Sequence, residues 1–241
     1  MSSYHSLARW YDALTGDVPY DAFVRFYRSL FAEDGGEFSL LLDLCCGTGT
    51  LTYAMASAGY DMIGSDASAD MLSVAMQKSA DSAVRPLFLC QSAEELDLYG
   101  TVDAAYSSLD SINYIPAGHL PEIFRRLHLF IRPGGLFIFD IRSEEWLRSL
   151  SGSTSVDEDE DVLCLWRADF DESERTMTYG MDLFSRRGAL WERTQEAHIE
   201  YAHRPEELSA LLSSAGFENI RVLRSGPQGE LGRLFLVCTR K

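Results

Sequence analysis

No run in this chain approaches the ~20 consecutive apolar residues that a membrane-spanning helix needs. The start, Met1-Ser2-Ser3-Tyr4-His5, lacks the basic residues and apolar core of a secretory signal. With 7 Pro and 18 Gly among 241 residues, both are too scarce for a fibrous or disordered class. Basic residues are few: 21 Lys and Arg face 37 Asp and Glu, a formal net charge of -16. So acidic a surface repels phosphate backbones and anionic lipid, which argues against nucleic acid or a membrane as partner. Cysteine is sparse and odd in number, at 5, with no pair in metal-ligand spacing, so no metal is expected. Cys46, Cys90 and Cys238 lie in apolar runs, where Cys behaves as a small hydrophobe. The chain reads as reduced and cytoplasmic. What it has is hydrophobicity, 46%, enough for one globular domain with an embedded insertion.

The most informative stretch is Leu40-Leu41-Leu42-Asp43-Leu44-Cys45-Cys46-Gly47-Thr48-Gly49-Thr50-Leu51. An apolar run ends in small residues and glycine, and a helical pattern follows: a buried strand, a tight turn, a helix start. Gly47 and Gly49 carry no Cβ, so a ligand can lie against bare backbone. Asp43 falls at the strand's carboxyl end, where open α/β sheets place their ligands. Asp61 to Asp66 form a second strand ending in Asp66, nineteen positions beyond Gly47. An acid at that offset can accept from both ribose hydroxyls; the competing reading of Asp66 is a helix cap, a role Ser68 or Asp70 fills equally well. Strand, turn, helix, strand and acid in this order read as a nucleoside-binding unit.

The remaining chain alternates. Third, fourth and fifth strands are expected at Pro86–Cys90, Val102–Ser108 and Leu136–Ile141, with helices at Met71–Ala80 and Leu120–Phe130 and a turn at Arg132–Gly135. A helix from Arg204 to Leu212 and two strands, Asn219–Leu223 and Leu234–Thr239, close the chain as an antiparallel hairpin. This pattern gives a doubly wound α/β sheet, mainly parallel, with helices on both faces. Ahead of it, Leu7, Trp10, Tyr11 and Leu14 and then Tyr20 to Phe31 read as two helices. Their aromatic faces suit either core packing or a lid over the Gly47 turn. Residues 143–203 break the rhythm. Asp157 to Asp161 are all acidic and read as a solvated loop. Three alternating runs follow, with Val162 to Phe170, Met177 to Leu183 and Trp191 to Tyr201 each placing apolar residues on one face. They read as an antiparallel insertion. On the third run Trp191, Ala197, Ile199 and Tyr201 are expected inward, and Glu192, Glu196, His198 and Glu200 in solvent.

Read together, these motifs resemble a class I S-adenosylmethionine-dependent methyltransferase over almost the whole chain. Asp43 to Gly49 resembles that family's acid-x-Gly-x-Gly-x-Gly motif, and Asp66 its ribose-binding acid. Ser92-Ala93 fall where the adenine edge is contacted. Ser107 to Asn113 match the loop after strand four, and Ala215-Gly216-Phe217 is also typical. The resemblance implies a seven-stranded Rossmann-like sheet with its last strand antiparallel, formed by 1–142 and 204–241. It implies S-adenosyl-L-methionine as cofactor, held at its amino acid end by Tyr11, Tyr20, Asp43, Cys45, Gly47, Thr48 and Gly49. Asp66, Ala67, Met71, Ser92 and Ala93 would hold the nucleoside, and Ser108, Leu109 and Asn113 would flank the reacting centre. One position departs: Cys45 stands at the family's first glycine, and a glycine-only backbone angle there would weaken cofactor binding.

The methyl acceptor is expected to be a small molecule, with N or O as the nucleophile, in a monomer or homodimer. Tyr11, Asp110 and His198 are the candidates for proton handling. Among other enzymes, an NAD-dependent oxidoreductase shares strand, glycine turn and acid. Its fingerprint requires a third glycine three residues after the second, and Thr52 stands there. A non-catalytic scaffold that keeps the fold is the third reading.

Overall fold

A computed structural model describes residues 7–80, 82–227 and 232–241. Its centre is a seven-stranded sheet built from β1 (Leu40–Leu44), β2 (Asp61–Asp66), β3 (Leu87–Cys90), β4 (Val102–Ser107), β5 (Ile131–Arg142), β10 (Phe217–Leu223) and β11 (Arg233–Arg240). The strand order is β10-β11-β5-β4-β1-β2-β3. Only β11 runs antiparallel to its neighbours, so the mostly parallel sheet with one reversed strand is borne out.

Both faces of this sheet are covered, which is why its strands read as near-continuous apolar runs. Period-two alternation splits them. Leu41, Tyr106 and Ile138 pack beneath α2 (Tyr20–Asp34) and α3 (Thr50–Ser57), against Phe23, Tyr27 and Met55. Leu42, Leu44 and Phe139 pack beneath α5 (Leu120–Phe130) and α7 (Pro205–Ser214), against Phe124, Leu127 and Leu212. α2 stops where Gly35 turns left-handed (φ 73°), its N–H donating to Phe31 O at 3.2 Å. The remaining helix of this layer, α4 (Ala69–Lys78), is capped by Ser68, whose Oγ accepts from Met71 N–H at 3.3 Å.

The first helix is shorter than its stripe suggests: α1 is Tyr11–Leu14, preceded by turns from residue 7. Its apolar residues Leu7, Trp10 and Leu14 are nonetheless packed, against a second sheet rather than along a longer helix. Expectations for residues 1–6 lie outside the described residues. β5 begins at Ile131, five residues before its expected start. The Pro-Gly turn is absorbed as an irregularity, with a register shift on β4 between Val102 and Ala104.

The insertion opens with α6 (Glu144–Ser149) and holds four strands, β6 (Thr154–Asp159), β7 (Val162–Asp171), β8 (Thr176–Arg187) and β9 (Leu190–Tyr201), ordered β6-β7-β8-β9 and all antiparallel. Two expectations are corrected here. Much of the acidic segment is not loop, because Asp157–Asp159 pair with Val162–Cys164. Every residue of β6 is exposed, so its charges sit where an edge strand tolerates them and no hydrophobic signal betrays it. The second correction is β9. Glu200 and His198 are 4% and 2% exposed, while Trp191 and Ile199 are 50% and 46% exposed. Register explains this: His198 and Glu200 pair with Tyr179 and Met177, on the face that carries Phe170 and Met181 inward. The inner face of the insertion packs α1 at one end and α6 at the other.

Candidate active site

The apolar strand β1 delivers Asp43 to its carboxyl end, 3% exposed, where Oδ2 accepts from Thr52 Oγ1 at 2.6 Å and from the Tyr106 hydroxyl at 3.2 Å. Burial pushes its carboxyl up to about 7, with those two hydroxyls opposing. Thr52 therefore fills the third-glycine position of a dinucleotide fingerprint with a buried side chain bonded to Asp43, where that fingerprint needs a small residue for close helix–strand packing.

The chain then turns. Cys45 takes φ 60°, the left-handed conformation that glycine adopts freely. The departure at this position is thus accommodated at a backbone strain of order 1–2 kcal/mol. The two motif glycines have different jobs. A Cβ on Gly47 (φ 55°) would meet nothing within 4 Å, so its bareness faces open cavity. A Cβ on Gly49 (φ 72°) would stand 2.9 Å from the Phe88 ring and 3.2 Å from Ala75, so Gly49 serves helix–sheet packing. Asp66 holds the loop from across the sheet. Its Oδ2 accepts from Gly47 N–H and its Oδ1 from Ser68 N–H, both at 2.8 Å. Burial raises its carboxyl and these N–H groups oppose.

Two connected spaces meet at this turn. A cavity of about 820 Å³ opens between the carboxyl edge of the central sheet and the insertion. Cys45, Gly47, Asp66, Ala67, Met71 and Ala93 line one part of it, and Tyr11, Leu109 and Asp110 another. A smaller lobe of about 50 Å³ is lined by Tyr20, Asp43, Thr48 and Ser108, with Tyr11, Cys45, Gly47 and Leu109 shared. Ser92, Gly49 and Asn113 line neither. Ser92 Oγ donates to Glu95 at 3.2 Å. Asn113, fully buried, donates Nδ2 to Tyr201 O at 2.9 Å and accepts at Oδ1 from Arg142 N–H at 2.9 Å, so it ties β5 and β9 together. His198 also stands behind the wall, its ring edge-on to Tyr114 at 6.4 Å and 5.8 Å from Trp166. Burial lowers its pKa. Burial likewise raises the pKa of the Tyr11 and Tyr20 hydroxyls.

Several residues of this site carry no local sequence signal. Asp140 and Arg233, 93 positions apart, form a buried ion pair. Asp140 also accepts from Leu109 N–H and Asp110 N–H, each at 2.9 Å. Those two residues are consecutive left-handed positions, φ 57° and 55°, so one carboxylate pins a strained loop. Asp12 in α1 accepts at Oδ1 from Thr48 Oγ1 (2.6 Å) and Thr50 Oγ1 (2.9 Å) and pairs at Oδ2 with Lys78 Nζ (2.6 Å). Among the described residues no group of His, Cys, Asp and Glu gathers to hold a metal. Nor is any of their helices long and apolar enough to cross a membrane.

The spaces suit a ligand with a cationic amino acid end and a nucleoside. The small lobe sits on a buried carboxyl whose charged form a cation would favour, and the larger cavity presents Asp66 beside bare Gly47 backbone. Comparison with known proteins agrees. A family model described as a methyltransferase domain matches residues 41–135. The Bacillus subtilis (strain 168) protein named Putative methyltransferase YqeM is 31% identical over 240 residues, 96% of this chain and 95% of its own. The structure of a S-adenosylmethionine-dependent methyltransferase from Clostridium acetobutylicum ATCC 824 superposes with TM-score 0.85 at 27% identity, covering 99% of both chains. The sugar N-methyltransferase KedS8 from Streptoalloteichus sp ATCC 53650 shares the fold, with TM-score 0.81 at 20% identity over 100% of this chain and 93% of that one. With the strand order, the Asp43–Gly49 turn and Asp66 already in place, these likenesses make the chain a member of the class I S-adenosylmethionine-dependent methyltransferases.

Proposed function

We propose that the protein transfers a methyl group to an N or O nucleophile of a small molecule held in the 820 Å³ cavity. The observation that carries this reading is the cavity's course, from Gly47 and Asp66 to Trp166 and Tyr201 of the insertion. The small lobe, with Asp43, Tyr20 and Thr48, would take the amino acid end of the cofactor, and Asp66, Met71 and Ala93 the nucleoside. The cofactor supplies an electrophilic methyl on a sulfonium. The chain's part is to hold the acceptor in line and exclude water, and such orientation is worth up to ~7–11 kcal/mol in well-aligned cases. Residues 143–203 would cover the acceptor. The test is a screen over amines, amino acids, alcohols, phenols, carboxylic acids and thiols, read as S-adenosylhomocysteine release. Turnover confined to a protein or nucleic acid would overturn the reading.

The same reading makes the N-terminal segment a lid. Asp12 ties α1 to Thr48 and Thr50 of the cofactor loop and to Lys78 of α4. Two hydroxyl bonds of about 0.5–1.5 kcal/mol each are lost in Asp12→Ala. The partly exposed ion pair adds little. We expect S-adenosylhomocysteine to bind about fivefold more weakly by calorimetry, with the change in its dissociation rate. Unaltered release kinetics would show that this clasp does not retain the cofactor.

A further inference from the structure

Deep in the cavity wall, outside the cofactor-binding turn, lies a cluster of charges that does not balance. Arg233 is paired with Asp140 and, at 2.7 Å, with Asp110; Arg142 stands 3.6 Å from Asp110. Glu200 joins them from β9, close enough to Asp110, Arg142 and Arg233 to feel each charge. Among the described residues three carboxyls thus meet two guanidiniums. The surplus has an address. Glu200 is 4% exposed and its Oε2 is buried without a hydrogen-bond partner among the described residues. A buried carboxylate oxygen without a hydrogen bond costs free energy, and more so when the group is charged.

What stands before it is Tyr114. Its side chain hydrogen-bonds Glu200 and it lies on the cavity wall with Asp110 and Trp166. A phenol that gives its hydrogen to a carboxylate has only lone pairs left for a ligand. Tyr114 and Trp166 give the cavity an acceptor and aromatic faces, and Tyr179 supports Trp166 from outside the lining, edge-on at 6.4 Å. Aromatic faces with a nearby acid surplus are the recognition chemistry of a cation.

We propose that the acceptor is a basic amine, and that the Tyr114–Glu200 pair orients it and removes its proton. This deepens the small-molecule reading above and rests on it. The ammonium N–H donates to the Tyr114 oxygen. Its proton passes to that oxygen as the Tyr114 proton passes to Glu200. The freed nitrogen lone pair forms the N–C bond while the C–S bond breaks with its electrons on sulfur. Tyr114 touches the substrate; Glu200 acts through it and is a positioning residue. An alcohol would leave the charge surplus uncompensated.

Beyond burial, the groups that act on Glu200 are Asp110 and Tyr114 from the loop after β4, Arg142 on β5, Arg233 on β11 and Tyr179 on β8; Glu196 and His198, paired with each other, are the titratable neighbours on its own strand. Burial and Asp110 hold its carboxyl above the usual range, so the base is lost as pH falls through that raised value. The experiment offers the full-length protein with S-adenosylmethionine three pools on shared carbon skeletons: primary and secondary amines, alcohols, and carboxylic acids. The amine pool is expected to release S-adenosylhomocysteine. With the best amine found, Glu200→Gln, which keeps the acceptor for Tyr114 but not the charge, is expected to lower kcat about 10²-fold. It should erase the acid limb of the pH profile and leave the melting temperature and S-adenosylhomocysteine affinity unchanged. Tyr114→Phe should do the same, and both should weaken calorimetric binding of that amine to the S-adenosylhomocysteine complex. Turnover of alcohols or acids alone overturns the amine assignment and leaves the small-molecule reading standing, while no turnover from any pool overturns both. Wild-type kcat and pH profile in Glu200→Gln, or unfolding of that variant together with normal turnover by Tyr114→Phe, overturns the pair's role.

Discussion

Asp140→Ala is expected to destabilise the protein by at least about 3 kcal/mol, the lower end of what an unpaired buried charge costs. Asp140 is fully buried and Arg233 is 5% exposed. Removing the carboxylate takes from the guanidinium its fully buried partner, and strips the acceptor from Leu109 N–H and Asp110 N–H. Both residues sit at positive φ, a conformation that persists because the surrounding structure over-determines it. For a chain of this length the expected fall in melting temperature is about 6–12 °C. Activity should fall further than stability, because the released loop carries Asp110 and Leu109 into the cavity wall. Asp140→Asn should be nearly as damaging. Both carboxylate oxygens face donors, so an amide NH₂ would meet an N–H or a guanidinium head-on. Thermal unfolding by circular dichroism decides: a melting point within 2 °C of wild type in both variants, on the order of half a kcal/mol, would dismiss the clamp.

The same pair shows why some of this site was legible in sequence and some was not. Strand–turn–helix–strand–acid is local, and its physics is written within some twenty-five residues: apolar strand, bare turn, acid at the next strand's end. Even there the sequence did not separate the two glycines, since it takes Phe88 on β3 and Ala75 on α4 to show that Gly49 is a packing glycine and Gly47 a cavity one. Asp140 and Arg233 meet only once β11 has folded back antiparallel to β5, in the register Arg233↔Arg142 and Phe235↔Asp140. Nothing near either residue announces that pairing. β9 fails for a different reason. Alternation reports polarity, and polarity alone does not separate a solvated face from a buried polar one. His198 and Glu200 look solvated in sequence, yet both are buried behind the cavity wall, while Ala197, Ile199 and Tyr201 on the other face line the cavity. β6 is the converse, an exposed edge whose charges hide a strand.

The largest effect on cofactor affinity is expected at Asp66. On the proposed pose its carboxylate accepts from the two ribose hydroxyls with the lone pairs that Gly47 N–H and Ser68 N–H leave free. Hydrogen bonds to a charged acceptor contribute about 1.5–3 kcal/mol each, so losing both weakens binding by roughly 10²–10⁴-fold. Asp66→Ala also releases Gly47, the one motif glycine whose backbone faces the cavity, so part of any loss is loosening of the loop. A thermodynamic cycle separates the two. S-adenosylhomocysteine and its 2′-deoxy counterpart are titrated calorimetrically into wild type and Asp66→Ala. Wild type should discriminate against the deoxy ligand by about tenfold or more, and the variant should bind both alike. If the variant still prefers the hydroxylated ligand by the wild-type factor, Asp66 does not hold the ribose. Its remaining role would then be the loop bond to Gly47, and the nucleoside would have to be anchored elsewhere along Ala67, Met71 and Ala93.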